Sequence, residues 1–292
     1  MYELLIPRVI GAFSKPQEPE RVFLKRVQKA DVRMRQNYKS QQTIGSAIYE
    51  DPSVRAAYLL GYLGHYSLQL GDVLTALDGQ PEAAAVLCQP HLRVAALCGG
   101  PAPEAIALAA LHSQLRGESL EVTVFDRNAL HWQDCWPISQ EVANHYPTHP
   151  QVRISGQSVD LVATPMGPKE RAVLGRCQVL TAMNCLNELY GLGVEHLRRA
   201  LAERLDVLPP GALVLASDQA NYPDCERGLA VLHELLQERQ AKVHLADLKR
   251  SEAHVVANRF GLPERISWMY GPENENNFRV WVRQLRLAAC LP

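Results

Sequence analysis

No two cysteines in this sequence are spaced Cys-x-x-Cys. The seven cysteines, at 88, 98, 135, 177, 185, 225 and 290, are odd in number and match no zinc module, so neither a zinc finger nor a fully paired disulfide framework is indicated. They read as reduced thiols used as small hydrophobes. Charge of one sign is missing too. Lys and Arg total 30 against 31 Asp and Glu, a net charge of −1, so the field of the whole molecule neither favours nor disfavours a polyanion and only local clusters carry information. No apolar run reaches the roughly 18 residues of a membrane span. The start Met1-Tyr2-Glu3-Leu4 lacks the basic-then-apolar pattern of a secretory signal. These absences point to a soluble protein of a reducing, cytoplasmic compartment, with no membrane partner and no metal site. Internal repeats and low-complexity tracts are absent as well.

What is present is the composition of a globular chain. Of 292 residues, 47% are hydrophobic and 21% charged, enough for one large domain or a domain with an appendage. The first third reads as helical. Phe23, Val27, Ala30, Met34 and Tyr38 recur at spacings of three and four and place one stripe toward a core. Asp51-Pro52 is a helix start, because Asp caps and Pro suits the first turn. The following helix carries Tyr58, Leu59, Tyr62, Leu63 and Tyr66, and Gly71-Asp72 is expected to restart a short helix that ends near Asp78-Gly79. From residue 92 the texture changes. Strands are expected over 92–98, 120–125, 152–161 (interrupted at Gly156), 177–183, 211–217, 242–248 and 278–287. Helices are expected over 103–115, 132–145, 194–205 and 225–239, with a short one near 252–259. Strands alternating with helices argue for an α/β fold with a mostly parallel sheet, because parallel neighbours need crossovers. The chain thus divides into a helical region, 1–88, and an α/β domain, 89–292.

Such a sheet binds ligands beyond the carboxyl ends of its strands. The first strand runs directly into Cys98-Gly99-Gly100-Pro101-Ala102-Pro103-Glu104. Glycine there lets backbone approach a ligand, and the free N–H groups of the next helix point at the same space. Asp126 closes the second strand, 22 residues after Glu104. A carboxylate at that position accepts both hydroxyls of a ribose and repels a phosphate. A dinucleotide site would need Gly-x-Gly-x-x-Gly, and Pro103 stands where the third glycine should fall, which disfavours a nicotinamide enzyme.

The run Ala96-Leu97-Cys98-Gly99-Gly100-Pro101-Ala102 resembles motif I of class I S-adenosylmethionine methyltransferases, acid-x-Gly-x-Gly-x-Gly. Gly100 keeps the middle glycine, Cys98 and Ala102 are small substitutes, and Ala96 replaces the acid. The resemblance covers about 92–290. It implies a Rossmann-like, seven-stranded, mostly parallel sheet with a terminal β-hairpin, the activity of a methyltransferase and S-adenosyl-L-methionine as cofactor, with the helices of 1–88 as a substrate cover. It places Cys98, Gly99, Gly100, Pro101 and Glu104 in the cofactor loop. Asp126, with Arg127 beside it, falls at the ribose, Asp160 at the adenine edge with Gln157 and Ser158 as register alternatives, and Trp132 either near the adenine or as an ordinary helix-packing residue.

The fourth strand ends in Thr181-Ala182-Met183-Asn184-Cys185-Leu186-Asn187-Glu188-Leu189-Tyr190, the end that faces the transferred methyl group in that family. Asn/Asp-Pro-Pro-Tyr is absent, as is a cysteine pair suited to pyrimidine C5 attack, and Cys185 reads as packing. Asn184, Asn187 and Glu188 are polar in an apolar stretch. Either they cap the next helix or they contact cofactor and substrate. Glu188 is the candidate base, with Asn184 as its catalytic neighbour and cofactor contact and Asn187 toward the substrate. The run Asn187-Glu188-Leu189-Tyr190, the Gly-Gly-Pro-x-x-Glu loop and Ala57-Tyr58-Leu59-Leu60-Gly61-Tyr62 are also similar to fungal methyltransferases acting on uridine N3 of large-subunit ribosomal RNA, which implies RNA as substrate. Independently, 21–39 holds Arg21, Lys25, Arg26, Lys29, Arg33, Arg35 and Lys39 against Asp31 alone. A basic helix face of this kind either tracks phosphates or is merely solvated. Tyr62 and Tyr66, four apart, share a helix face and either stack on a planar acceptor, an RNA base or a small metabolite, or simply cement the helix to the domain. The competing reading is a catalytically inactive binding or scaffold protein, supported by the altered motif I.

Overall fold

The computed structural model describes residues 1–39, 46–145, 151–256, 263, 266 and 282–292. The chain opens with α1 (Tyr2–Phe13) and α2 (Glu20–Lys39). After a 3-10 turn (Ser46–Glu50) come α3 (Pro52–Tyr58), a π turn (Leu59–Leu63), α4 (Gly64–Ala76) and α5 (Pro81–Leu87). Then follow β1 (His91–Leu97), α6 (Pro103–Gln114), β2 (Ser119–Asp126), α7 (Ala129–Trp132), α8 (Trp136–Ala143), β3 (Gln151–Ser158), α9 (Pro168–Leu174) and β4 (Val179–Met183). The last part is α10 (Leu186–Gly191), α11 (Val194–Leu205), β5 (Leu213–Gln219), α12 (Pro223–Glu238), β6 (Lys242–Asp247), β7 (His254–Val256) and β8 (Val282–Cys290).

The sheet order is β3-β2-β1-β4-β5-β8-β6, with the short β7 added to β8. Neighbours among β1 to β5 run parallel, and β8 runs antiparallel to β5, β6 and β7. This is the mostly parallel, Rossmann-like sheet of the resemblance, with its antiparallel end and one extra strand. Strand order reverses at β1, which lies between β2 and β4, so the crevice beyond the ends of β1 and β4 is where an open α/β sheet takes a ligand.

Side chains alternate across each strand and feed two cores. Val94, Ala96, Leu213 and Leu215 face a layer built from α1 to α6 and α8. Ala95, Leu97, Leu180 and Val214 face α9 to α12. Residues of 1–88 and of the α/β region share the first of these clusters. On α2 the expected stripe Phe23, Val27, Ala30 and Met34 is buried; the side chain of Tyr38 lies outside the described residues. The charged face of α11 has one exception. Arg204 points inward, fully buried, and donates to Glu170 of α9 at 2.8 Å and to the Ala200 carbonyl at 2.9 Å, the pairing that a buried charge requires.

Several elements differ from the sequence expectation. Helix runs through 52–76 without a restart at Gly71-Asp72, because Leu70, Val73 and Leu74 hold that turn against the core. Asp51 does cap it, accepting from the Ser53 N–H at 2.8 Å with Pro52 in the first turn. β3 is not interrupted at Gly156. The glycine is there because the Trp136 ring lies across it, and a Cβ would sit 2.1 Å from that ring. The helix expected over 132–145 is two helices, the second starting just before Pro137, where proline suits a first turn. The helix expected near 252–259 is replaced, over His254–Val256, by strand β7; 257–259 lie outside the described residues, as do 278–281 of the last expected strand. Among the described residues no helix is long and apolar enough to cross a membrane.

Candidate functional site

The loop between β1 and α6 has an unusual backbone. Cys98, Gly100 and Ala102 adopt φ of +51°, +49° and +63°. These are the three glycine positions of the motif I pattern, and all three keep the left-handed conformation although only one is glycine. A Cβ in that conformation costs about 1–2 kcal/mol per residue, so the surrounding structure must impose it. It does so with hydrogen bonds at each step. The Cys98 N–H donates to the Phe125 carbonyl at 2.7 Å and the Ala102 N–H to the Gly99 carbonyl at 2.8 Å. The Gly100 N–H donates to Asp126 Oδ2 at 3.1 Å, and the Trp136 indole N–H donates to the Gly100 carbonyl at 2.9 Å.

Asp126, at the end of β2, is buried. Its second oxygen accepts from the Asn128 N–H at 2.7 Å. Burial raises its pKa, and the two backbone donors oppose that rise. Each carboxylate oxygen has a second lone pair, so Asp126 positions the loop and retains acceptors for a ligand. Arg127 lies beside it, and its charge favours the ionised forms of Asp126 and Glu188. Asp160 has partners in its own turn. Its Oδ1 accepts from the Val162 and Ala163 N–H groups at 3.2 and 3.0 Å, so it caps its own turn after β3. Gln157 and Ser158, the register alternatives, stand in the edge strand, where Ser158 Oγ donates to the Arg127 carbonyl at 3.2 Å. Trp132 is a packing residue. It is 2% exposed, wedged between Gly100 and the rings of Tyr49 and Tyr58, with centroids at 4.8 and 5.1 Å.

Glu104, in the first turn of α6, is 1% exposed, and neither of its carboxyl oxygens has a hydrogen-bond partner. Burial, with a smaller contribution from the Asp126 charge, raises its pKa to about 8. It is therefore mostly protonated at neutral pH. Thr181 Oγ1, in the middle of β4, and Asn184 Oδ1, just beyond its end, are likewise buried without partners. Buried polar groups in native proteins are normally paired, so three such groups beside one loop mark a place for a polar ligand. The raised pKa has a consequence for stability. An unfolded glutamate ionises near 4.5, the folded one near 8, so the folded state holds the extra proton between those values and stability falls as pH rises through that window. Glu104→Gln cannot ionise. Urea midpoints measured from pH 5 to 8.5 should fall less steeply for the variant, which should be the more stable protein at pH 8.5, by up to about 5 kcal/mol at 1.36 kcal/mol per unit. Parallel curves would exclude a buried neutral Glu104.

Beyond β4 the chain turns through Asn184, whose φ is +53°. Its N–H donates to the Ser217 carbonyl at 2.8 Å, and its side-chain amide donates to Gln69 Oε1 of α4 at 2.6 Å. Asn184 therefore ties the N-terminal helices to the sheet. The capping alternative is not what is observed, for α10 has no side-chain cap. Instead the Asn187 N–H donates to Asp218 Oδ2 at 3.3 Å, and Asn187 Oδ1 is buried without a partner. Glu188 is half-buried. Burial, then the nearby Asp218 and Asp126 charges, raise its pKa to about 7, against the opposing charge of Arg127. Asp218, at the end of β5, is raised by burial to about 6. Cys185 is 5% exposed, and its contact with the Cys98 thiol and its burial push its pKa far up, which makes it packing and no nucleophile.

Tyr58, Tyr62 and Tyr66 line one side of the 52–76 helix. Their centroids are 5.2 Å apart for 58–62 and 5.7 Å for 62–66. Four-residue steps drift around a regular helix; the wider π turn at Leu59–Leu63 offsets that drift. Burial and the charges of Glu188 and either Asp126 or Asp218 act on Tyr58 and Tyr66, so the tyrosine row faces the carboxylates. The Ser67 hydroxyl donates to the Pro103 carbonyl at 2.9 Å, seating α4 on the loop. The structure thus brings together the loop, Glu104, Asp126, Arg127, Asn184, Glu188, Tyr62 and Tyr66, and Asp160 follows Val159, whose N–H donates to the Asp126 carbonyl at 3.2 Å. Sequence reasoning missed Trp136, Gln69 and Asp218. Only Asp218 left a mark, as an acid closing an apolar strand.

No family model matches the chain, and no curated protein matches it by sequence. Solved structures of similar architecture include several methyltransferases. Magnesium protoporphyrin IX methyltransferase from Synechocystis PCC 6803, with bound S-adenosylhomocysteine, aligns at TM-score 0.39 and 14% identity over 78% of this chain and 84% of its own. The 16S rRNA (adenine(1408)-N(1))-methyltransferase from Catenulisporales acidiphilia aligns at 0.39 and 16%, over 74% and 92%. N-methyltransferase NodS from Bradyrhizobium japonicum WM9 aligns at 0.37 and 10%, over 69% and 86%. Of two further matched chains, this chain spans about half, 46% and 50%.

Proposed function

We propose that this protein binds S-adenosylmethionine in the loop between β1 and α6 and transfers its methyl group to a planar acceptor, an RNA base or a small metabolite. The observation that carries the reading is the loop backbone. Three left-handed residues stand at the motif I positions 98, 100 and 102, clasped by the acid that ends β2. A chain that holds Cys and Ala in that conformation maintains a shaped cradle at a cost in strain.

The residues present fit this cofactor. Asp126 retains acceptors for ribose hydroxyls. Glu104, Asn184 Oδ1 and Thr181 Oγ1 are orphaned buried groups near the loop. The four carboxyls Glu104, Asp126, Glu188 and Asp218 all have raised pKa values, an environment that a positive charge relieves. When bound, S-adenosylmethionine supplies an electrophilic methyl group on a cationic sulfur. The chain does the rest. Tyr62 and Tyr66 offer ring faces to a planar acceptor. Glu188, with a pKa near 7, is poised to take the proton that the acceptor loses. The packed cover over α3 and α4 excludes water from the reacting atoms.

Calorimetry with S-adenosylmethionine tests the reading. A cation placed among these carboxyls lowers their pKa values, so binding at pH 7 should release about one proton, seen as a dependence of the apparent enthalpy on the ionisation enthalpy of the buffer. The absence of binding at hundreds of micromolar would sink the proposal and leave the scaffold reading.

A further inference from the structure

Two of the cysteines meet at the candidate site. Cys98 is the first residue of the loop after β1, and Cys185 follows the turn at Asn184 after β4. β1 and β4 are parallel neighbours, with Leu97 opposite Ala182, so the two strands deliver both cysteines to the same end of the sheet. Cys185 Sγ donates to the carbonyl of Leu97, the residue before Cys98, at 3.7 Å. The two thiols are in hydrogen-bonding contact. Adjacent strands lie about 4.8 Å apart, within the Cα separations of about 4.4–6.8 Å that a disulfide spans.

The other cysteines are placed differently. Cys177 donates to the Val173 carbonyl at 3.3 Å, and Cys225 hydrogen-bonds Asp218. Cys135 and Cys290 are buried, and Cys88 is exposed. The pair at the site is also unequal. Cys98 is partly exposed at the loop. Cys185 is buried, and the Cys98 contact and burial keep it protonated. An oxidant arriving from solvent therefore meets Cys98 first, with a second thiol already against it.

We infer that Cys98 and Cys185 close into a reversible disulfide that shifts the loop between β1 and α6 and lowers its affinity for S-adenosylmethionine. Only the effect on the cofactor rests on the methyl-transfer reading. Hydrogen peroxide is a sufficient oxidant. The Cys98 sulfur attacks one peroxide oxygen, the O–O bond breaks, and the thiol proton leaves with the other oxygen as water. The product is a sulfenic acid, which condenses with a thiol. The Cys185 sulfur then attacks the Cys98 sulfur, the S–O bond breaks, and the Cys185 proton leaves with the hydroxyl as a second water. Two thiols give up two electrons and one peroxide takes them. Burial shields Cys185 from solutes, but a sulfenic acid formed in contact with it needs no encounter. Thiol exchange reopens the bond. Closing the bond draws Cys98 toward the end of β4. Its backbone is tied the other way, toward β2: its N–H donates to the Phe125 carbonyl at 2.7 Å, and the Gly100 N–H donates to Asp126 at 3.1 Å. The pull therefore acts against the clasp that shapes the cradle. It acts also on Asn184, next to Cys185, which holds α4 through Gln69. Trp132 packs against Gly100 and Trp136 donates to its carbonyl, so both indoles report on this loop.

The test uses the full chain carrying Cys88→Ser, which removes the exposed thiol and with it bonds between molecules. A few equivalents of hydrogen peroxide should give, in mass spectra of a digest, a peptide pair linked through Cys98 and Cys185 and lighter by two hydrogens. Tryptophan emission should shift at the same time, and dithiothreitol should reverse both changes. Calorimetric affinity for S-adenosylmethionine should fall about tenfold or more on oxidation and return on reduction. Cys185→Ala should show neither the crosslink nor any change that dithiothreitol reverses; Cys185→Ser serves if the alanine variant does not fold. A different pairing, or none, would overturn the inference, as would a crosslink between Cys98 and Cys185 that leaves emission and cofactor affinity unchanged. A crosslink that shifts emission in a protein that takes no cofactor even when reduced would overturn the methyl-transfer reading and leave the disulfide standing.

Discussion

Asp126→Ala should weaken S-adenosylmethionine binding by about a hundredfold or more. The carboxylate serves twice. It offers acceptors to the ribose, and it clasps the loop by taking the Gly100 and Asn128 N–H groups. Its removal leaves two buried donors unpaired, at about 1–3 kcal/mol each, and releases a loop that holds Cys98 and Ala102 in a strained conformation. A hundredfold loss is about 2.7 kcal/mol, within what one of these two effects supplies. Asp126→Asn separates them. The amide keeps the shape and one acceptor but sets an N–H group against an N–H group, so its affinity should fall between the two. Calorimetric titration of both variants, with far-ultraviolet dichroism to confirm folding, reads the result. An affinity equal to wild type in Asp126→Ala would mean that the ribose is not bound at the end of β2.

Glu188→Gln should lower kcat by about 10² to 10⁴, the usual contribution of a general base, with little change in cofactor affinity. The pH profile distinguishes this from a structural loss. With the pKa raised to about 7 by burial and by the Asp218 and Asp126 charges, the wild type should gain activity as pH rises from 6 to 8, because the ionised form is the base. The variant should lose that inflection. Single-turnover methyl transfer measured across this range gives the profile. A variant that keeps both the rate and the inflection would remove Glu188 from the reaction and shift attention to Asp218.

The parts of the site that were legible in the sequence are those that local pattern dictates. A β-rich run followed at once by Gly99-Gly100-Pro101, with Asp126 closing the next strand, located the end of β1 and the end of β2 where the structure has them. The two are far apart in sequence but are brought together by any parallel pairing of β1 with β2. The basic residues of 21–39 were equally plain. Gly156 shows where local reading fails. As a glycine in a strand it suggested an interruption, whereas it makes room for the Trp136 ring. Trp132 was open between the adenine and helix packing, and the sequence did not show that it packs between Gly100 and the rings of Tyr49 and Tyr58, which arrive from a segment more than 70 residues earlier. Asp160 takes two backbone N–H groups of its own turn on one oxygen, a local pairing that the sequence reading did not include.

The sequence by itself determined the order of strands and helices, the loop at the end of β1 and the acid at the end of β2, since hydrophobic period and turn chemistry act between near neighbours. The tertiary structure decided what those residues are chemically. Burial makes Glu104 a neutral acid and brings Glu188 near pH 7. Long-range hydrogen bonds from Trp136 and to Asp126 help hold the left-handed backbone at 98, 100 and 102. The same packing spends Arg26 on Glu18 and Arg33 on Asp51. Desolvation and strain depend on which segments meet, and a pattern of near neighbours does not contain that information.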